Sequence, residues 1–255
     1  MQPLTGTVAL VTGSSRGIGA ATARKLAEAG ADVCITYLNS PRDARDLAEE
    51  LSRLGRRVLA VKADLSEAED VEALVDSVGE EFGRLDIAIS NAAGGGFSSL
   101  VDATLAQFDY SMRINVQALM LLAQRARPLM EKTVLRRAKL VSVSSLGGTR
   151  AMPHYGLVGA AKGAVESMTR HLALELGPRG INVNCVVAGM VNTGALNAHP
   201  EREKMVEARM HRSLVGDGEI LPDDVADLIL FLCSPASDKV QGQTLVVDAG
   251  TSIMA

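Results

Sequence analysis

Seven short apolar runs alternate with amphipathic segments along the chain, and this alternation most constrains the fold. The runs are rich in Val, Ile and Leu, as strands buried on both faces are. Helical periodicity between them is typical of the crossovers that connect parallel strands. The sequence therefore predicts an α/β fold, a doubly wound parallel sheet with helices on both faces. We expect its strands at Thr7–Val11, Asp32–Thr36, Val58–Val61, Leu85–Ser90, Ala138–Val143, Asn182–Val187 and Thr244–Val247.

Length and composition favour a single soluble domain over residues 1–255, with 47% apolar residues to bury the sheet. A net charge of −4 provides no basic excess for nucleic acid, and no apolar run is long enough to span a bilayer. Cys34, Cys185 and Cys233 lie in apolar contexts, typical of core residues in a reducing compartment. We expect a cytoplasmic protein without a metal site, a nucleic-acid partner or a membrane partner.

A glycine-rich turn follows the first predicted strand and opens the helix predicted at Gly17–Ala29. Its glycines allow a tight turn and close approach to a pyrophosphate, which the helix N-terminus would face. The spacing Gly-x-x-x-Gly-x-Gly differs from the usual dinucleotide motif, but the position between strand and helix favours a dinucleotide. A glycine turn without a ligand is the alternative. The turn contributes Gly13, Ser15, Arg16, Gly17, Ile18 and Gly19.

The end of the second strand indicates which dinucleotide binds. An NAD site usually has an acid there for the ribose 2′-hydroxyl, and Thr36–Ser40, which includes Asn39 and Ser40, has none. Arg16 and Arg42 are placed to reach a 2′-phosphate, so we predict NADPH. A solvated Arg42 is the alternative for that residue alone. Asp64 and Leu65 after the third strand would flank the adenine, although Asp64 is equally placed to cap a helix.

Two further asparagines belong to the predicted site. Asn91 and Ala92 end the fourth strand, where small residues let the backbone lie against the cofactor and Asn91 can tie neighbouring strands. Asn115 stands on the apolar face of a helix, where a buried amide needs partners. We expect Asn115 to bond backbone groups and a water that leads to Lys162.

A proton-handling group is predicted after the fifth strand. That strand ends in Ser144-Ser145, and a helix is expected to carry Tyr155 and, seven residues later, Lys162 on nearly the same face. The tyrosine would donate a proton, the lysine would lower its pKa by charge, and Ser145 would hold a substrate oxygen. The alternative is a packing tyrosine and a solvated lysine.

The segment 189–218 interrupts the alternation and is predicted to form a small helical lid over the site. Within it we expect a helical stretch at Thr193–Arg212. We assign its first part, Gly189, Val191 and Thr193, to the cofactor. The apolar side chains of Met190, Leu196 and Met205 either line an acyl chain or pack the lid.

Together these motifs resemble the short-chain dehydrogenase/reductase family, which implies a Rossmann-type fold and a tetramer. The terminal Gly242-Gln243 and Asp248-x-Gly250 also match. Most of that family carries Tyr-x-x-x-Lys, but Val158 stands at the usual tyrosine position and the spacing here is Tyr155-x6-Lys162. This longer spacing resembles the enoyl-thioester reductases, most closely type III, the NADPH-dependent enoyl-acyl-carrier-protein reductases. The resemblance implies catalytic roles for Tyr155 and Lys162, and Ser145 matches the family serine.

Two backbone positions depart from the family pattern. Ala188-Gly189 replaces the usual Pro-Gly after the sixth strand, and Ser90–Ala93 replaces Asn-Asn-Ala-Gly. We expect altered loop shapes there without loss of the cofactor.

The displaced tyrosine has a physical reason. Hydride addition to C3 of an enoyl thioester develops charge on the carbonyl oxygen, which lies farther from the nicotinamide than the oxygen of a ketone does. Moving the phenol back by one helical turn, about 4.5 Å of rise, places it in that direction. We therefore expect reduction of an enoyl thioester, on acyl carrier protein or coenzyme A, with Asn115 supporting Lys162 and solvent or the phenol protonating C2.

Two other functions remain open at this point. A ketoreductase or alcohol dehydrogenase would use Tyr155 through an altered helix start, and a non-catalytic scaffold would only bind NADPH. The helices around Gln117–Arg127 and Gly163–Leu176 are apolar on more than one face, which indicates association, with a homotetramer implied by the resemblance.

Overall fold

A computed structural model of the chain describes residues 2–197, 199–216 and 219–253. Its strands form one parallel sheet in the order β3-β2-β1-β4-β5-β6-β7. The chain crosses from one half of the sheet to the other between β3 and β4, which gives the doubly wound arrangement. The predicted fold class is confirmed, and the strands differ from prediction only at their ends. They are β1 Val8–Val11, β2 Asp32–Tyr37, β3 Val58–Lys62, β4 Ile87–Ser90, β5 Ala138–Ser145, β6 Ile181–Ala188 and β7 Thr244–Val247.

Helices cover both faces of the sheet. Two of them begin with proline, at Pro41 and Pro222, where the missing N–H costs no helical hydrogen bond. A third begins after Thr104, whose hydroxyl accepts from Gln107 N at 3.2 Å. The helices are α1 Gly17–Glu28, α2 Pro41–Arg53, α3 Ala68–Phe82, α4 Leu105–Met112, α5 Ala118–Met130, α6 Gly156–Leu176, α7 Gly194–Asn197, α8 Arg202–Arg212 and α9 Pro222–Cys233.

Two apolar layers pack against the sheet, because successive strand residues point to opposite faces. Ala9 and Val11 of β1 join the layer under α1, α2 and α9, whereas Val8 and Leu10 join the layer under α3, α5 and α6. The three cysteines are buried and unpaired, as expected for core residues. None of the described helices combines the length and apolar character needed to cross a membrane.

Polar contacts fasten the amino ends of the strands. The buried carboxylate of Asp86 accepts from Val8 N at 2.8 Å and from Val134 N at 2.7 Å. The buried ammonium of Lys139 donates to Asp238 Oδ1 at 2.7 Å and to Asn182 Oδ1 at 3.2 Å. These contacts hold the amino ends of the strands together. The carboxyl ends lead into the loops where doubly wound sheets bind their ligands.

Candidate active site

The carboxyl ends of four neighbouring strands bring the predicted site residues to one edge. Gly13 follows β1, Asn91 follows β4, Ser145 ends β5 and Gly189 follows β6. Asn91 Nδ2 donates to Thr12 O at 2.9 Å and to Gly13 O at 3.1 Å. This amide therefore ties the end of β4 to the glycine loop, as the sequence predicted.

The glycine positions of the loop leave no room for a side chain. Gly13 and Gly17 have φ of 62° and 57°, in the left-handed region that favours glycine. A methyl group on Gly13 would lie 2.9 Å from Ala92 Cα, and one on Gly19 would lie 2.5 Å from Gly13 O. The loop is thus folded tightly against β4 and the start of α1, with backbone N–H groups at the helix N-terminus available to an anion.

The end of β2, where the nucleotide ribose is expected, has no acid, and basic side chains lie near it. Residues Thr36–Ser40 lie at the end of β2, and Arg42 follows in the first turn of α2. Arg16 and Arg42 are both exposed, and within the described part of the chain neither forms an ion pair. Both guanidinium groups can therefore meet a phosphate without first breaking a salt bridge.

Asp64 lies after β3 as predicted, but its side chain serves a local turn. Its Oδ1 accepts from Ser66 N at 2.9 Å and from Ser66 Oγ at 2.7 Å, ahead of α3. These contacts favour the helix-start role that the sequence left open. Leu65 beside it is buried.

Tyr155 lies one residue ahead of the helix, as its N-cap, and its carbonyl accepts from Gly159 N at 2.7 Å, so the prediction that the helix carries this tyrosine is wrong by one residue. The expectation that the side chains of Tyr155 and Lys162 share one face stays a prediction. Tyr155 is the residue before α6, with φ −108° and ψ 5°. The preceding His154 has φ 56°, a left-handed conformation that interrupts a right-handed helix, and Pro153 lacks an N–H. The Tyr155 ring instead lies over Gly147, where an added methyl group would collide with the ring.

The predicted lowering of the Tyr155 pKa by Lys162 is also wrong. Burial raises the pKa of the phenol above its usual value, and the Ser145 hydroxyl offsets part of this rise. The ammonium of Lys162 donates to Val143 O at 2.8 Å. Tyr155 is therefore protonated at neutral pH and is a hydrogen-bond donor.

Lys162 is a buried cation. Burial lowers its pKa to about 8, an effect that nearby Cys185 and Glu166 partly offset. The bond to Val143 uses one of three N–H donors, which leaves two for other partners.

Glu166 is a site residue that the sequence reasoning missed. It is buried on α6 one turn after Lys162, and its Oε1 accepts from Ser144 Oγ at 2.7 Å. Ser144 thus points inward, and only Ser145 presents its hydroxyl to Tyr155. The four-residue spacing between Lys162 and Glu166 on one helix was the available signal.

Asn115 lies in a π-helical turn, Arg113–Gln117, between α4 and α5. Its Nδ2 donates to Ser111 O and to Gly94 O, each at 2.8 Å, whereas its Oδ1 is buried and has no partner among the residues that the structure describes. The expected backbone bonds are present, and the unpaired Oδ1 is an acceptor for a water or ligand. The predicted water link to Lys162 remains a prediction.

The lid segment consists of two helices, α7 and α8, where one helical stretch at Thr193–Arg212 was expected. His199 and Pro200 separate them, and proline does not continue the helix before it. The base of the lid is anchored by a bridge between the buried Val191 and Ile220. A methyl group on Gly17 would lie 3.3 Å from Thr193 Cγ2, so the first part of the lid packs against the glycine loop.

The side chains proposed for acyl binding are half-buried, namely those of Met190, Leu196 and Met205. Residues 198, 217 and 218 of the predicted lid lie outside the described residues. Among the residues that the structure does describe, no cluster of His, Cys, Asp and Glu could hold a metal ion.

Comparison with known proteins finds matches over nearly the whole chain. A family model described as Enoyl-(Acyl carrier protein) reductase matches residues 13–252. The 1-cyclohexenylcarbonyl-CoA reductase of Streptomyces collinus is 37% identical over 97% of this chain and 88% of that protein. The hydroxynaphthalene reductase of Aspergillus fumigatus is 32% identical over 94% of this chain and 90% of that protein.

Solved structures match over the same length. A short-chain dehydrogenase from Burkholderia cenocepacia in complex with NADP has a TM-score of 0.89 and 37% identity, covering 98% of this chain and 99% of that chain. The match to the family model extends from the glycine loop at Gly13 to residue 252, beyond β7. The chain belongs to the short-chain dehydrogenase/reductase family, whose members are oxidoreductases that use a nicotinamide cofactor.

Proposed function

We propose that this protein is an NADPH-dependent reductase of the C2=C3 double bond of an enoyl thioester. The observation that carries the proposal is the place of Tyr155, ahead of α6 and beside Ser145. Buried Val158 occupies the position four residues before Lys162, where a carbonyl reductase of this family would carry its phenol. The phenol therefore stands back from the usual position along the helix, in the direction that a conjugated thioester requires.

The residues at the nucleotide edge fit NADPH. The glycine loop provides backbone donors, Arg16 and Arg42 are exposed, and no acid stands at the end of β2 to repel a 2′-phosphate. The NADP bound to the similar Burkholderia dehydrogenase supports the same choice. When bound, NADPH supplies the hydride that is added to C3.

Tyr155 stabilises the charge that develops on the thioester oxygen. Because burial raises its pKa, the phenol keeps its proton at neutral pH and donates a hydrogen bond to that oxygen. Ser145, at the end of β5, orients the phenol. C2 then takes a proton from the phenol or from solvent, which balances the hydride at C3.

Lys162 orients the cofactor. Its two remaining N–H donors can bind nicotinamide ribose hydroxyls, while the bond to Val143 O fixes the direction of the side chain. Asn115 Oδ1 is a free buried acceptor and supports Lys162 through a water. The carboxylate of Glu166 raises the pKa of Lys162 and so favours the charged form of the lysine.

The lid provides the binding surface for the acyl chain, through Met190, Leu196 and Met205. The similar 1-cyclohexenylcarbonyl-CoA reductase favours a coenzyme A thioester, and the family description favours an acyl carrier protein. The same crotonyl group presented on each carrier separates these two possibilities by kcat/KM.

Reduction of a ketone is the second candidate, and the similarity to a hydroxynaphthalene reductase favours it. In that case Tyr155, displaced by the irregular start of α6, would donate its proton to the carbonyl oxygen of the ketone. A protein that binds NADPH without catalysis is the third candidate. In that case we expect removal of the Tyr155 hydroxyl to leave the function of the scaffold unchanged.

We propose that the protein works in the cytoplasm as a homotetramer. Leu174 on α6 is 75% exposed and Met120 on α5 is 37% exposed, which is apolar surface that association would cover. Light scattering at micromolar concentration is expected to give four times the mass of the chain, and a monomer at all concentrations would contradict the assignment.

The first test of the function is turnover of crotonyl-CoA with NADPH, followed at 340 nm. Tyr155→Phe is expected to lower kcat by at least about a hundredfold, because it removes a donor to a developing oxyanion. The Kd for NADPH should change less than about twofold. Tyr110→Phe, which removes the hydroxyl of a partly exposed tyrosine on α4, is the matched control. Reduction of a ketone without turnover of any enoyl thioester would reject the proposal.

Val158→Tyr distinguishes the enoyl from the ketone assignment. A phenol placed at this buried position is expected to leave ketone reduction undetectable and to lower enoyl reduction, because it fills space beside Gly95. Val158→Phe, which adds the ring without the hydroxyl, is the control for crowding. A gain in ketone reduction with Tyr but not with Phe would favour the ketoreductase.

The buried cation gives stability a specific pH dependence. Folded Lys162 releases its proton near pH 8, whereas the unfolded chain releases it near the ordinary value of 10.5. Between these values the unfolded state binds more protons, so this group makes the free energy of unfolding rise with pH. Lys162→Met should lose about 2 kcal/mol of that rise between pH 7 and 10 in urea denaturation.

Lys132→Met, at an exposed lysine, is the control for this measurement and should follow the wild-type pH profile. Parallel profiles for wild type and Lys162→Met would contradict the burial argument.

A further inference from the structure

The lid contacts the tyrosine segment through one buried histidine. His199, between α7 and α8, has both ring nitrogens in hydrogen bonds. Its Nδ1 accepts from Glu201 N at 3.1 Å, and its Nε2 lies 3.2 Å from Pro153 O. A backbone N–H can only donate and a carbonyl can only accept, so the proton is on Nε2 and the ring is neutral. His199 therefore donates from the lid to a carbonyl two residues before Tyr155.

An aromatic contact follows the same path. The His199 ring meets Phe97 edge to face, with ring centroids 4.5 Å apart and an interplanar angle of 64°. Phe97 in turn stacks on Tyr155, with centroids 6.0 Å apart and an angle of 29°. Both distances are within the range in which aromatic rings attract one another. Phe97 thus lies between the lid and the phenol.

The segment that carries Tyr155 has few other restraints. Because Tyr155 precedes α6, its backbone is not held by a full set of helical bonds. Pro153 and His154 are exposed, and Ser98 N donates to His154 O at 2.9 Å. Tyr155 O accepts from Gly159 N at 2.7 Å, Tyr155 N donates to Met152 O at 3.3 Å, and the side chain contacts Gly147 and the Ser145 hydroxyl. Removal of the lid contact would leave the exposed residues before Tyr155 without their bond to the lid, and the phenol would then be held only by its own contacts with Ser145, Gly147 and Phe97.

We propose that His199 is a positioning residue that couples closure of the lid to placement of the Tyr155 phenol. With the lid closed, the Nε2 bond and the Phe97 contact hold the tyrosine segment against Gly147. With the lid open, both contacts are lost together, and the phenol is neither buried nor fixed. The site is thereby completed only when the lid covers it. This inference rests on the catalytic role proposed for Tyr155.

Two substitutions separate the two contacts. His199→Phe keeps a ring against Phe97 and loses the donor, whereas His199→Gln keeps an amide donor in place of Nε2–H and loses the ring. We expect kcat to fall about tenfold in the first and to recover by about threefold in the second, since a small misplacement of a catalytic group is costly. The KM for NADPH should stay within about twofold. His211→Phe and His211→Gln, at an exposed histidine of α8, are matched controls.

Two measurements test the coupling without using turnover. Trypsin should cleave after Arg202 and Lys204, which are exposed in α8, faster in His199→Phe than in wild type. The Tyr155 phenol should also ionise at lower pH in that variant, because its raised pKa results from burial. Absorbance at 295 nm reports this ionisation, and the same titration in a Tyr155→Phe background subtracts the signal of the other two tyrosines.

The outcomes are distinct. Faster cleavage together with earlier ionisation supports the coupling, and partial reversal of both in His199→Gln confirms that the donor matters. Unchanged cleavage, or faster cleavage with unchanged ionisation of Tyr155, overturns it. Absence of enoyl turnover in the wild-type protein would reject the proposed function, while the cleavage and ionisation results would still decide whether the lid positions the phenol.

Discussion

The site depends on one buried cation at the carboxyl end of the sheet. The side chain of Lys162 on α6 points to β5, where its ammonium donates to Val143 O. The negative charge of Glu166 favours the protonated form of this lysine. Removing an ammonium from water is expensive, and the bond to Val143 O and the charge of Glu166 offset part of that cost. Ser144, which belongs to the strand, is turned inward to bind Glu166. The strand and helix that carry the proposed chemistry are therefore held together by the residues that keep the cation buried.

The type and order of the helices and strands could be predicted from the sequence, because the spacing of apolar residues indicates which face of each element is buried. The seven strands and the glycine turn required no knowledge of distant contacts. The start of α6 did require it: the left-handed His154 and the ring of Tyr155 over Gly147 depend on tertiary packing. Glu166 escaped notice for the same reason, since a glutamate on a helix is usually solvated and only the fold shows this one to be buried.

Electrostatic expectations were less secure than geometric ones. The sequence suggested that a lysine near a tyrosine lowers the pKa of the phenol, but in the structure burial dominates and raises it. The sign of such a shift depends on the balance between removal of water and nearby charge, and sequence spacing reveals neither. A protonated phenol can donate to an oxyanion, so the raised pKa of Tyr155 is compatible with its proposed role.

The polar ties at the amino edge of the sheet have a consequence of their own. Lys139 and Asp238, like Asp86, secure the strands at the edge opposite the lid. Loops at the lid edge can accordingly be lengthened, shortened or exchanged without disturbing those ties. Because the stabilising ties and the substrate-binding loops lie at opposite ends of the strands, a scaffold of this kind can acquire new substrates by exchange of loops. The segment between β6 and α9 is therefore the natural target for redesigning substrate selectivity.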